Sequence, residues 1–292
     1  EAYRKALSIN PDNADALANI GGALKDVTFI RPDRDLQNTI SSLLDKERYI
    51  RPKDICKAAV SLLKFEPNLK KHLKVVDSEV IKSPRDVISD LNELPLLLKL
   101  MSVCPLPDLE LEGLLTNLRH SILLNISYLK EALPELTKFQ SALALQCFTN
   151  EYIYNNTNQE EKALQTLEKT VKNCFKNNKQ PSPEVTLALA SYKALNNYEW
   201  SNLLLVNDKI EEVFIRQFEE PNKEQKLKQD ILILEEINDI ISSEVRSQYE
   251  ESPYPRWVNL SLPLKPFSIS NLVDEINLNL YNDKITEVDK PE

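Results

Sequence analysis

An all-α fold is what this sequence predicts, on three observations. Apolar residues recur at helical spacing along most of the chain, in short stripes separated by polar or proline-marked breaks. Many of the 17 prolines stand where a stripe begins, a first-turn position at which the missing N–H costs nothing. Glycine occurs only three times, at Gly21, Gly22 and Gly113. A main chain that must wrap a pyrophosphate needs several glycines, so neither a Rossmann fingerprint nor a P-loop can be built.

The first elements lie in EAYRKALSINPDNADALANIGGALKD, residues 1–26, where Leu17, Ile20 and Leu24 make an i, i+3, i+7 stripe. Ala6 and Gly21 are small where paired helices approach, and Asp12, Asn13 and Asp15 suit a capped, positively polarised helix N-terminus. With Tyr3 and Pro11, these positions resemble the tetratricopeptide repeat: a second helix with its closing proline, then the first helix of the next unit. The match ends at Asp26, where VTFIRPDRD leaves the pattern. A repeat array wants about three units, so this one is expected to continue upstream of Glu1.

Asp33 then caps a helix over 33–44, and Pro52 opens one with Ile55, Ala58, Ala59, Leu62 and Leu63 on a single face. Pro67 opens a helix over 67–76, and Ser83-Pro84 a short one. Residues 92–103 are apolar nearly all round and are expected to form the buried centre. Pro107-Asp108 starts a long helix to about position 129. Pro134 starts another with Leu136, Phe139, Leu143, Leu145 and Phe148 inward. Residues 158–175 and 183–195 read as an antiparallel pair. The charge run at 219–230 reads as a solvated face. From there Ile231, Leu234, Ile237, Ile241 and Val245 form a stripe that should pack on the C-terminal part of the chain. Residues 268–281 read as a short amphipathic helix, capped by Ser268 or Ser270.

Composition narrows the function. A net charge of −9 argues against nucleic acid and against a membrane surface, both of which want clustered basic residues. No apolar run is long enough to cross a membrane. Cys56, Cys104, Cys147 and Cys174 show no CxxC spacing and read as reduced, mostly buried thiols of a cytoplasmic protein. His72 and His120 are the only histidines, too few for a zinc site, and read as surface or junction residues rather than catalytic bases. No serine sits in a nucleophile elbow, since the glycines are missing. No catalytic residue and no metal site is therefore expected.

The least generic stretch is 244–257, EVRSQYEESPYPRW. A helix carrying Arg246, Tyr249 and Glu250 must end at Ser252-Pro253, and Tyr254-Pro255 forces an extended turn into Arg256 and Trp257. Aromatic faces can hold an adenine or a cation, and arginine can grip a carboxylate. The plainer reading is that Tyr254 and Trp257 pin a junction and Arg256 pairs with a nearby acid.

With the segment after it, this run resembles the connector of bacterial proteins that join tetratricopeptide repeats to a class I S-adenosylmethionine-dependent methyltransferase domain. The resemblance implies three parts: a partial repeat at 1–26, a helical domain at 27–240, and a connector at 241–292 that leads to a catalytic domain. S-adenosylmethionine would belong to that domain and not to these residues. Arg246, Tyr249, Glu250, Tyr254, Pro255, Arg256 and Trp257 would lie beside or over its active site. The helices would hold a protein or peptide partner. A stand-alone helical adaptor is the competing expectation.

Overall fold

The computed structural model describes residues 2–46, 50–73, 83–231 and 239–251, together with Ser268 and Val273. Every regular element among them is helical. The first two, α1 (Ala2–Ile9) and α2 (Ala14–Leu24), form a hairpin whose turn is closed by Asn13, its Oδ1 accepting from the Ala16 N–H at 2.9 Å. Asp33 caps α3 (Arg34–Leu44) in the same way and also receives Arg4 of α1 at 3.3 Å, which fastens the hairpin to its successor.

Proline opens the next four helices, α4 (Pro52–Leu63), α5 (Pro67–Leu73), α6 (Pro84–Asn92) and α7 (Pro95–Val103). The end expected for α5 at position 76 lies outside the described residues. All five apolar positions assigned to one face of α4 are buried. On α2, Gly21 has a packing role: a β-carbon there would sit 2.5 Å from Ile50 Cδ1, whereas one on Gly22 would meet nothing. The absent side chain lets Ile50, just ahead of α4, lie directly on α2.

The long helix expected over 108–129 is two helices, α8 (Leu109–Leu124) and α9 (Ile126–Ala132). Asn125 breaks it. Its side-chain nitrogen donates to the Ser121 carbonyl at 2.9 Å, which that residue's own N–H also uses at 3.1 Å, and its φ of −114° is not helical. A short amide that bonds back onto its own helix competes with the regular ladder.

The centre belongs to two helices. Helix α7 packs against α3, α4, α6 and α10 (Leu136–Thr149), as the apolar run at 92–103 foretold. Helix α10 is more enclosed still, with only Lys138 and Ser141 not buried. Leu136, Phe139 and Leu143 face the main core, which reaches from Leu17 to Ala188, while Ala144 and Leu145 face a second core built around Leu187, Tyr198, Trp200 and Val213. Each fully buried leucine or phenylalanine contributes about 1.5–3 kcal/mol.

Helix α11 (Asn158–Lys176) starts at a capping box in which the Thr157 hydroxyl and the Glu160 carboxylate satisfy each other's backbone N–H groups. Its partner α12 (Pro183–Ala190) stops five residues short of the expected 195. There the Ser191 hydroxyl bonds back to Leu187 at 2.9 Å, and the chain passes through two 3₁₀ turns. Trp200, between those turns, stacks on Tyr198 at 4.7 Å.

The last helical stretch runs from α13 (Glu211–Phe214) through a π-helical turn (Ile215–Glu219) into α14 (Glu220–Lys228). Helix α14 buries nothing, in keeping with a solvated charge run. The stripe expected from Ile231 onward differs. Ile231 is exposed in a bend, residues 232–238 lie outside the description, and α15 (Ile240–Glu251) starts afresh. Asp239 caps it, accepting from the Ser242 N–H at 2.8 Å. Ile241 and Val245 are 70% and 45% exposed, so the predicted packing of this stripe is absent among the described residues. Apart from Ser268 and Val273, the helix expected over 268–281 lies outside them too.

Candidate functional site

Of the segment singled out in the sequence, the structure places its beginning. Arg246 is exposed on α15. Tyr249 and Glu250 occupy the last turns of that helix, which ends at Glu251, one residue before Ser252-Pro253. Tyr254, Pro255, Arg256 and Trp257 lie outside the described residues.

The densest polar chemistry lies elsewhere, where α8, α11 and the residues after α12 converge on a buried ion pair. Arg119 of α8 and Glu160 of α11 are both 1% exposed, and Arg119 Nη2 stands 3.9 Å from Glu160 Oε1. That Nη2 donates to the carbonyls of Tyr154 at 3.2 Å and Asn155 at 2.8 Å, and to Asn156 Oδ1 at 2.9 Å. Nε and Nη1 find no acceptor. Two rings stand in: the guanidinium carbon lies 4.2 Å from the Tyr192 centroid and 5.5 Å from that of Tyr154.

Glu160 is satisfied from several sides. Tyr192 donates its hydroxyl to Oε1 at 2.6 Å, the Thr157 N–H and hydroxyl reach Oε2 at 2.8 and 2.9 Å, and His120 Nδ1 lies 3.4 Å from Oε2. Burial alone would raise the Glu160 pKa, but the bonds from Tyr192, Thr157 and His120 outweigh it and hold it below the ordinary range. The same burial, with Glu160 as acceptor, drives the Tyr192 phenol well above its usual value.

The arrangement therefore holds a carboxylate, a guanidinium and protonated phenols, and offers no nucleophile. Cys147, against Arg119, has its thiol pushed up to about 12 by burial, with the arginine charge pulling weakly the other way. Cys104 is held well above the ordinary thiol range by its hydrogen bond with Cys56 and by burial. A thiol that stays protonated neither attacks nor ligates. What the centre does is hold the chain between α10 and α11 onto α8. His72 ties helices likewise, with Nε2 2.7 Å from Asp90 Oδ2 between α5 and α6. Both histidines are thus junction residues.

A second buried centre had no signal in the sequence. Gln217, in the π-helical turn, is fully buried. Its Nε2 donates to the carbonyls of Ala144 at 3.0 Å and Ala190 at 3.1 Å, while its Oε1 accepts from the Leu195 N–H at 3.2 Å. One amide thereby joins α10, the end of α12 and the turn behind it. Nothing in the run IRQFEE marks this glutamine as internal. The π-helical turn that presents it leaves no trace in apolar spacing.

Compared with known proteins, the chain matches no family model, no curated protein and no solved structure.

Proposed function

We propose that this chain is the non-catalytic helical region of a larger S-adenosylmethionine-dependent methyltransferase. In this reading its helices bind a protein or peptide partner, and residues 244–257 cover the active site of a domain on the C-terminal side. The observation that carries the reading is the run VRSQYEESPYPRW and its attachment to α15. Ile241 and Val245 are four residues apart on that helix, hence on one face, and both are exposed. A domain on the C-terminal side would cover that stripe. The cofactor would have to come from elsewhere, because three glycines cannot line a nucleotide loop.

Calorimetry with S-adenosylmethionine tests this reading. Residues 1–292 should show no binding, and the full product of the gene should bind. In that full product, Trp257→Ala should lower methyl transfer more than it lowers the melting temperature. Equal losses would return Trp257 to a packing role.

The second reading, a stand-alone helical adaptor, draws on the α1–α2 hairpin, where Tyr3 and Ile9 are exposed. A coding sequence that continues past position 292 into a hydrophobic strand and a glycine-rich loop favours the enzyme. A stop codon or a further repeat favours the adaptor.

A further inference from the structure

Beside Tyr154, on the side of α8 where that helix begins, the structure holds a cavity of about 470 Å³. It opens between the start of α4, the connection from α7 to α8, and the end of α10 with the loop behind it. That volume lies within the range of small-ligand pockets. Apolar side chains make most of its wall, including Pro105, Pro107, Leu109 and Ile153. Leu109 and Ile153 are 85% and 57% exposed at its mouth, although their side chains are aliphatic.

The polar lining is biased towards acceptors. Asn150 is 2% exposed, lines the cavity, and has no hydrogen-bond partner for Oδ1. A buried carbonyl oxygen without a donor is costly, so a donor arriving from a ligand relieves it. Glu112, half-buried on the first turn of α8, has no cationic partner among the described residues. Asp108 is already committed, since its Oδ1 caps the Leu111 N–H at 3.1 Å and its Oδ2 pairs with Lys64. Gln146 is also committed: with its amide oxygen and nitrogen exchanged, it donates to the Cys104 and Met101 carbonyls and accepts from the Leu106 N–H. The one cation in the lining, Lys53, is exposed and has an interaction of its own.

The loop supports the site's shape. Glu151 and Tyr152 both adopt left-handed backbone, with φ of 57° and 55°, which non-glycine residues seldom do. This reversal directly after Asn150 puts Asn150, Ile153 and Tyr154 on the same cavity. A metal ion is a poor fit. Among the described residues, no three His, Cys, Asp or Glu side chains stand close enough to hold one.

We propose that this cavity binds an organic cation, an alkylammonium or guanidinium group on a short apolar stem. The charged head pairs with Glu112 and, through a turn of the Asn150 side chain, reaches its unpartnered Oδ1, and the stem lies along Pro107, Leu109 and Ile153. Such a head comes either from a free amine or from a lysine or arginine side chain of a peptide.

The test is calorimetric titration of the whole chain with three probes: 4-guanidinobutylamine, the blocked tripeptide Ala-Arg-Ala, and pentanoate. At least one cationic probe should bind and pentanoate should not. The tighter of the two cations identifies the source. Glu112→Gln should weaken binding about tenfold or more, the loss expected for one charge-assisted hydrogen bond. Leu109→Lys, which tethers a competing ammonium at the mouth, should do the same. Leu109 is exposed and Glu112 is half-buried outside both apolar cores, so thermal melts should stay close to wild type. Failure of both cations to bind, equal binding of pentanoate, or undiminished cation binding in both variants would overturn the proposal.

Discussion

Arg119 and Glu160 show what a buried charge needs. Each is removed from water, their closest approach is 3.9 Å, and most of the compensation comes from hydroxyls, carbonyls and rings around them. Breaking such a pair from one side strands the other charge. Arg119→Met should therefore cost about 3–5 kcal/mol in denaturant unfolding. The double variant Arg119→Met, Glu160→Gln should recover part of that loss. The pH dependence has a definite sign. The Glu160 pKa is lowered in the folded chain from an ordinary value of 4.5. Its stabilisation is therefore present above that value and is lost as pH falls through the lower folded pKa. Glu160→Gln should flatten that part of the acid limb in melts followed by circular dichroism. This centre was not legible from residue order. Arg119 lies in LRHSILL, an ordinary helix stretch, and only the turn after α10 brings Tyr154, Asn155 and Asn156 onto it.

At the scale of elements, helix starts were legible and helix ends less so. Asn13, Asp33, Asp108 and Thr157 cap as their residue types foretell, and the prolines at 52, 67, 84, 95 and 183 open helices. The breaks after Leu124 and Ala190 were hidden. Each depends on a small polar side chain bonding back to a carbonyl four residues earlier, which leaves the apolar spacing undisturbed. The two adjacent glycines of α2 make a sensitive comparison. Gly22→Ala should stabilise by about 0.5–1 kcal/mol through helix propensity alone. Gly21→Ala gains the same propensity but drives a methyl into Ile50, and should come out net destabilising. Urea unfolding of the two single variants separates the terms.

Across the whole molecule, α10 couples the parts. The sequence expectation sets Leu143 and Leu145 facing one core, yet residues two apart cannot share a helical face. In the structure Leu143 enters the main core and Leu145 the second. Leu143→Ala and Leu145→Ala should each cost about 2–5 kcal/mol. Each should also shift one common transition, seen alike by far-ultraviolet dichroism and by tryptophan fluorescence. Two separated transitions would show that the cores melt independently. The stripes in the sequence announced helices but not their partners, since helix pairing depends on contacts far apart along the chain. The proposed covering segment shares that difficulty: its residue types suit a ligand, and its position on the molecule is described only as far as α15.

The π-helical turn at Ile215–Glu219 sets a counting constraint on this part of the gene. Gln217 meets three backbone partners because the turn is wider than an ordinary one. Excising one codon there would let regular winding resume and would abolish the widened turn that presents Gln217. The Phe214–Phe218 pair would have to restack, and the amide could not keep all its attachments. Length in this short run should therefore tolerate change far less than letter identity does along neighbouring α14.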